Sequence, residues 1–203
     1  MKPKYLLYFG GTIPVIFWMT TIICGFLWGD YNHFSRMVSE LGSIGTKSQY
    51  VFLTGLLLCS ILSILFVIGL FKSCKIMKIS TIPALIILSF SLSIGGAALF
   101  PLPLKWHGIL GSPSVMLIFS PLLSLLLWNE KKQISDIKQM AILSLVIMSL
   151  GFLAYFPGVF GNFAGLKQRF FHMGWSIWFV YLSFRFTKLL DNKTSENKST
   201  VIP

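Results

Sequence analysis

The chain has 203 residues, of which 55% are hydrophobic and only 11% charged; its mean hydropathy is +0.77 and its net charge +11. A water-soluble domain carries about 25% charged residues, so this chain lacks the polar groups to cover its surface in water. Its basic residues stand in short clusters at the ends of apolar runs, which is membrane-protein usage and argues against a nucleic-acid partner.

Lys2 and Lys4 precede the first apolar run, Tyr5–Trp28, long enough to cross about 30 Å of hydrocarbon. It lacks the short core and small-residue cleavage site of a signal peptide and reads as a retained helix, with Pro14 as a kink point. A polar loop, Asp30 to Thr46, separates it from a second span, Tyr50–Phe71. The link Lys72–Lys78 leads to a third span, Ile79 to Phe100. The turn PLPLKWHG opens a fourth, His107 to Trp128, in which Pro113 and Pro121 predict kinks. The charged link Asn129–Lys138 precedes a fifth span, Gln139 to Phe156. The segment PGVFGNFAGLKQR leads into a sixth, Phe170–Leu190, and residues 191–203 read as a disordered polar tail. Cys24, Cys59 and Cys74 show no CxxC spacing and read as packing residues. The fold class is an all-α polytopic helix bundle of six transmembrane helices.

Six spans put both termini on one side. Lys and Arg then divide 12 on the terminus side against 5 on the other, which predicts cytoplasmic termini in a cell membrane. On this topology His33, His107 and His172 all face outward, together with Asp30, Arg36, Glu40 and Arg169. Glu130, Asp136, Asp191 and Glu196 stay inside among lysines and read as solvated loop charges. Ionisable groups gathered at one end of a membrane bundle mark a functional site by default.

At 100° per residue, Asp30, His33, Arg36 and Glu40 share one face of a helix, which predicts a short amphipathic helix ended by Gly42 or Gly45. Arg36 and Glu40 form an i,i+4 pair on it. Ser39 is a helix residue or a hydroxyl nucleophile. His172 follows Arg169 by three positions on the sixth helix, and Arg169 suits a phosphate or carboxylate. Glu40 and Arg169 are expected to form a buried pair that shapes a ligand-binding pocket of His33, Ser39, Glu40, His107, Arg169 and His172.

Three short motifs in order, SELG (Ser39–Gly42), Phe100 and Pro101 followed by His107, and GLKQR (Gly165–Arg169), resemble a known set. They are similar to the membrane-protein family of domain of unknown function nine-nine-eight, over Tyr5 to about Leu190. The resemblance implies a six-helix membrane protein without an assigned activity. Members often carry an acidic residue in the turn after the Phe-Pro pair, where this chain has Leu102 and Leu104. A serine, an acid and several histidines at one membrane face are also similar to the alkaline ceramidase and adiponectin-receptor superfamily of zinc hydrolases. Those proteins have seven helices and a histidine pair in the last.

Function is therefore read first as binding or sensing a polar or anionic lipid headgroup, with membrane lipids as partners and no cofactor. The enzyme alternative is a lipid hydrolase in which His33, His107 and His172 hold zinc and Glu40 or Asp30 acts as base. A third reading is structural, with the polar loop docking a partner subunit or a second copy.

Overall fold

The computed structural model describes residues 2–128 and 136–199. The chain is helical, with no strand among the described residues. A short α1 (Pro3–Leu7) runs into α2 (Phe9–Trp28), and α3 (Gln49–Met77) and α4 (Ile82–Leu99) follow. The fourth apolar run is interrupted: α5 (Lys105–Gly111) passes into a 3₁₀ segment, Ser112–Ile118, and then into α6 (Phe119–Leu127). Pro113, near the start of that segment, has no N–H to donate to an α-helical bond, so the expected kink appears as a change of helix type. Next come α7 (Ile137–Leu150), extended by a 3₁₀ turn, Gly151–Tyr155, and the long α8 (Ala164–Ser199).

Five helices are long and apolar enough to cross a membrane: residues Pro3–Trp28, Gln49–Met77, Ile82–Leu99, Lys105–Leu127 and Ile137–Tyr155. This is a multi-pass membrane protein. The many large apolar side chains left exposed, Phe26 and Leu126 among them, are what a lipid-facing surface requires. The stretch expected as the sixth span lies within α8 but is not one of these five. Its tryptophans, tyrosine, serines, histidine and Arg185 lower its hydropathy, and Trp175, Trp178, Phe179, Leu182 and Phe186 turn inward, while Met173, Val180 and Phe184 stay exposed.

Indeed α8 supplies the middle of the core. Trp175, Trp178, Phe179 and Phe186 are all fully buried. Trp175 meets Phe90 of α4 with ring centroids 4.8 Å apart, and Phe179 meets Phe66 of α3 at 5.4 Å. Hydrogen bonds through serine hydroxyls tie α3 to α4 and α8 to α6: Ser60 Oγ donates to Ser91 O at 2.7 Å and Trp178 Nε1 to Ser120 Oγ at 2.9 Å. In lipid, where burying apolar surface gives no drive between helices, such contacts hold a bundle together. Cys24, Cys59 and Cys74 are buried free thiols within this packing.

Two boundaries differ from the sequence reading. α8 begins at Ala164, inside the glycine-rich segment, and it remains helical as far as Ser199, through most of the stretch expected to be a disordered tail. The terminal ends meet: Lys4 Nζ lies 2.7 Å from Asp191, and Arg185 Nε lies 2.8 Å from Asp136. These two acids are thus ion-paired, not merely solvated. Most of the link Asn129–Lys138, with Glu130, Lys131 and Lys132, lies outside the described residues, as does the side chain of Glu196.

Candidate functional site

The loop after α2 is not a helix over its first half. Gly29, at φ +91°, ends α2, and Asn32 Oδ1 accepts the N–H groups of Phe34 at 2.9 Å and Ser35 at 3.2 Å. This Asx turn gives the backbone an alternative to the helical ladder. Only Val38–Gly42 is helical, as a 3₁₀ turn in which Glu40 Oε1 accepts the Met37 N–H at 2.8 Å. The amphipathic helix expected across Asp30–Leu41 does not form.

The loop is held by the start of α8. Leu166 N–H donates to Phe34 O at 2.9 Å, and Gln168 Oε1 accepts the Val38 N–H at 2.6 Å. Arg169 spans the joint: Nη1 donates to Arg36 O and Gly165 O, and Nη2 donates to Tyr31 Oη at 3.1 Å and His33 Nδ1 at 3.0 Å. Tyr31 passes its own proton on to Met37 O at 2.7 Å. Gly165 sits so close beneath that a Cβ there would run into Arg36 O and His33 O. The expected Glu40–Arg169 pair is absent. Glu40 pairs with Arg36 at 3.5 Å, and Arg36 also lies over the Trp28 ring at 5.0 Å.

Two cations here are buried without a carboxylate partner among the described residues. Arg169 is 8% exposed and Lys167 3%. Lys167 Nζ donates to Phe156 O and Val159 O at 3.2 and 2.8 Å. Carbonyl dipoles offset their desolvation, which makes both residues structural clamps for irregular backbone. A guanidinium can only donate, so His33 Nδ1 carries no proton. Burial, and then the positive charge of Arg169, hold the His33 pKa below its ordinary value. Burial raises that of Tyr31, against the opposing pull of Arg169.

Beside this joint lies a cavity of about 410 Å³. One wall comes from α5 and the 3₁₀ segment after it, with His107, Gly108, Ser112 and Ser114. The other comes from the end of α7 and the start of α8, with Tyr155, Gln168, Phe171 and His172. Ser39 and Val38 stand at the loop, and Phe17, Leu56, Phe90 and Ile94 line the apolar remainder. A smaller space of about 120 Å³, lined by Gln49 and Pro101 among others, shares Ser39, Phe52, Ala97 and His107 with it.

Of the residues expected to form the pocket, Ser39, His107 and His172 line this cavity, whereas His33, Glu40 and Arg169 do not. Asp30 lies outside it as well. His107 Nδ1 lies 3.0 Å from both Ala97 O and Phe100 O and so caps the end of α4. His172 packs on Phe17 with centroids 4.6 Å apart, and its Nδ1 accepts from Trp175 Nε1 at 3.0 Å. His33 is engaged with Arg169. The three histidines therefore do not assemble the zinc triad of the enzyme alternative, and no group of three or more His, Cys, Asp or Glu side chains that could hold a metal ion occurs among the described residues. The sequence reading missed Gln168, although Gln168, Phe171 and His172 fall at i, i+3 and i+4, one face of a helix. It also missed the serines and aromatic side chains, whose types alone do not separate a cavity wall from ordinary core.

All three short motifs thus reach the cavity, through Ser39, His107 and Gln168. A family model described as protein of unknown function (DUF998) matches residues 13–185. No curated protein and no solved structure matches the chain.

Proposed function

This chain belongs to the DUF998 family of unknown function, and from that premise we propose that it binds or senses a membrane lipid in the cavity between α5 and α8. In this reading α8 is a sixth crossing, both termini are cytoplasmic and the cavity lies in the outer half of a cell membrane. The 12-to-5 division of basic residues supports that orientation.

The observation that carries the reading is the two-part lining: Ser39, His107, Ser112, Ser114 and Gln168 beside Phe17, Leu56, Phe90 and Ile94. A volume of about 410 Å³ suits a headgroup and the first part of a chain. A lipid tail gains little by leaving one apolar medium for another, so selectivity must come from hydrogen bonds to the headgroup. Native mass spectrometry of the protein released from its own membrane tests this. We expect a bound lipid of one headgroup class, lost when Gly108, whose Cβ would enter open space, is replaced by Phe. A fully delipidated protein, or a bound mixture unchanged in Gly108→Phe, would count against it.

A further inference from the structure

We infer that the ligand of this cavity is an uncharged, hydroxyl-bearing lipid such as a diacylglycerol or a long-chain alcohol, an assignment that rests on the lipid-binding reading above. Among the described residues the lining contains no Asp, Glu, Lys or Arg. The nearest cations on α8 flank Gln168 but turn away from it: Lys167 is committed to Phe156 O and Val159 O, and Arg169 to the loop. A phosphate or carboxylate in the cavity would lose its hydration without a compensating charge.

The two histidines define what the headgroup must offer. Ala97 O and Phe100 O can only accept, so His107 Nδ1 is the protonated nitrogen and neutral His107 keeps a lone pair on Nε2. An indole N–H can only donate, so His172 Nδ1 is the bare nitrogen and its proton is on Nε2. That Nε2 is buried with no hydrogen-bond partner. Both rings line the cavity, so the wall from α5 carries a histidine with an acceptor nitrogen and the wall from α8 a histidine with an unpartnered donor nitrogen. A hydroxyl group, which both donates and accepts, satisfies such a pair without bringing a charge into the site. Gln168, with its oxygen already taken by Val38 N–H, adds its amide N–H groups for an ester or hydroxyl oxygen.

The test uses the full chain in lipid nanodiscs with two photo-crosslinking probes of identical chains, diacylglycerol and phosphatidic acid, and maps the labelled peptides. We expect diacylglycerol to label peptides containing His107 or His172 about tenfold more than phosphatidic acid, the value of roughly one good hydrogen bond. His107→Asn retains a donor for the α4 carbonyls but lacks the Nε2 acceptor. It should lose about tenfold in labelling while keeping its melting temperature, whereas Gly108→Phe should abolish labelling. Equal or stronger cavity labelling by phosphatidic acid would overturn the neutral assignment and leave the lipid site standing. No labelling of these peptides by either probe would overturn both.

Discussion

Arg169 and Glu40 show how far a residue's charge is from its role. In the sequence they are the obvious opposite partners across the bundle. In the structure Arg169 is occupied by two carbonyls, a tyrosine and a histidine, while Glu40 serves its own turn. Carbonyls outcompete the carboxylate because Arg36, in the same loop, already sits beside it; nothing in residue types reveals which backbone groups will be orphaned. Arg169→Ala should therefore cost about 2–4 kcal/mol, because it strands several acceptors. Glu40→Gln keeps the bond to Met37 N–H and loses a half-exposed ion pair, a cost under about 1 kcal/mol. Thermal unfolding in detergent distinguishes these outcomes, and equal losses would restore the expected pair. His33 adds a pH dependence. Its folded pKa lies below the ordinary 6.5, so the unfolded chain binds the proton more readily. Stability contributed here is complete above that value and declines as pH falls through it, levelling off below the lowered folded value. Facing His33 are Arg169 from α8 and Tyr31 from its own loop. The melting temperature should fall between pH 7 and pH 5 more steeply in the native chain than in His33→Gln; parallel curves would remove His33 from the joint.

At the scale of elements, close approach is set by residues without bulk. Gly174 of α8 lies against α7: a Cβ there would come within 2.6 Å of Met148 N and 2.9 Å of Ser144 O. Gly11 of α2 has open space around it. Gly174→Leu must push α7 and α8 apart and should sharply lower the yield of folded protein, whereas Gly11→Leu, in lipid, should be tolerated. Comparable yields would mean that the α7–α8 contact is loose. The apolar runs were readable because length and composition decide them: each of the five spanning stretches overlaps its expected range. The loop was not readable by helical periodicity. Asn32 diverts the backbone into an Asx turn, and a face drawn on a helical wheel has no meaning where the helix is missing. The start of α8 was hidden by Gly158, Gly161 and Gly165, which suggest a loop until the packing of Gly165 beneath Arg36 is seen. Ser39, His107 and His172 nevertheless share a cavity, Ser39 from the loop after α2 and the two histidines from near the ends of apolar runs.

Whether the whole molecule crosses the membrane five or six times turns on α8. Its hydropathy is diluted by side chains suited to a protein interior, and Trp175, Trp178 and Phe179 are fully buried among α2, α3, α4 and α6. A helix that keeps only a narrow exposed apolar face, here Met173, Val180 and Phe184, needs fewer of the lipid-facing residues that a hydropathy scale rewards. Its two ends also have different company. The start is tied to the loop after α2, and the far part, through Asp191, to Lys4 in α1 at the beginning of the first span. Lys4 and the loop sit at opposite ends of α1 and α2, so α8 runs the full height of the bundle. That supports a sixth crossing and sets a test that uses the buried state of all three native cysteines. Ser35, Asn162 and Ser195 are exposed positions at which a new thiol can be reached. In intact cells Ser35→Cys and Asn162→Cys should react with a membrane-impermeant maleimide, and Ser195→Cys should react only after permeabilisation. Reaction of all three from outside would mean that α8 does not cross. Protection of Ser35→Cys and Asn162→Cys together with labelling of Ser195→Cys would invert the bundle and put the cavity in the cytoplasmic half.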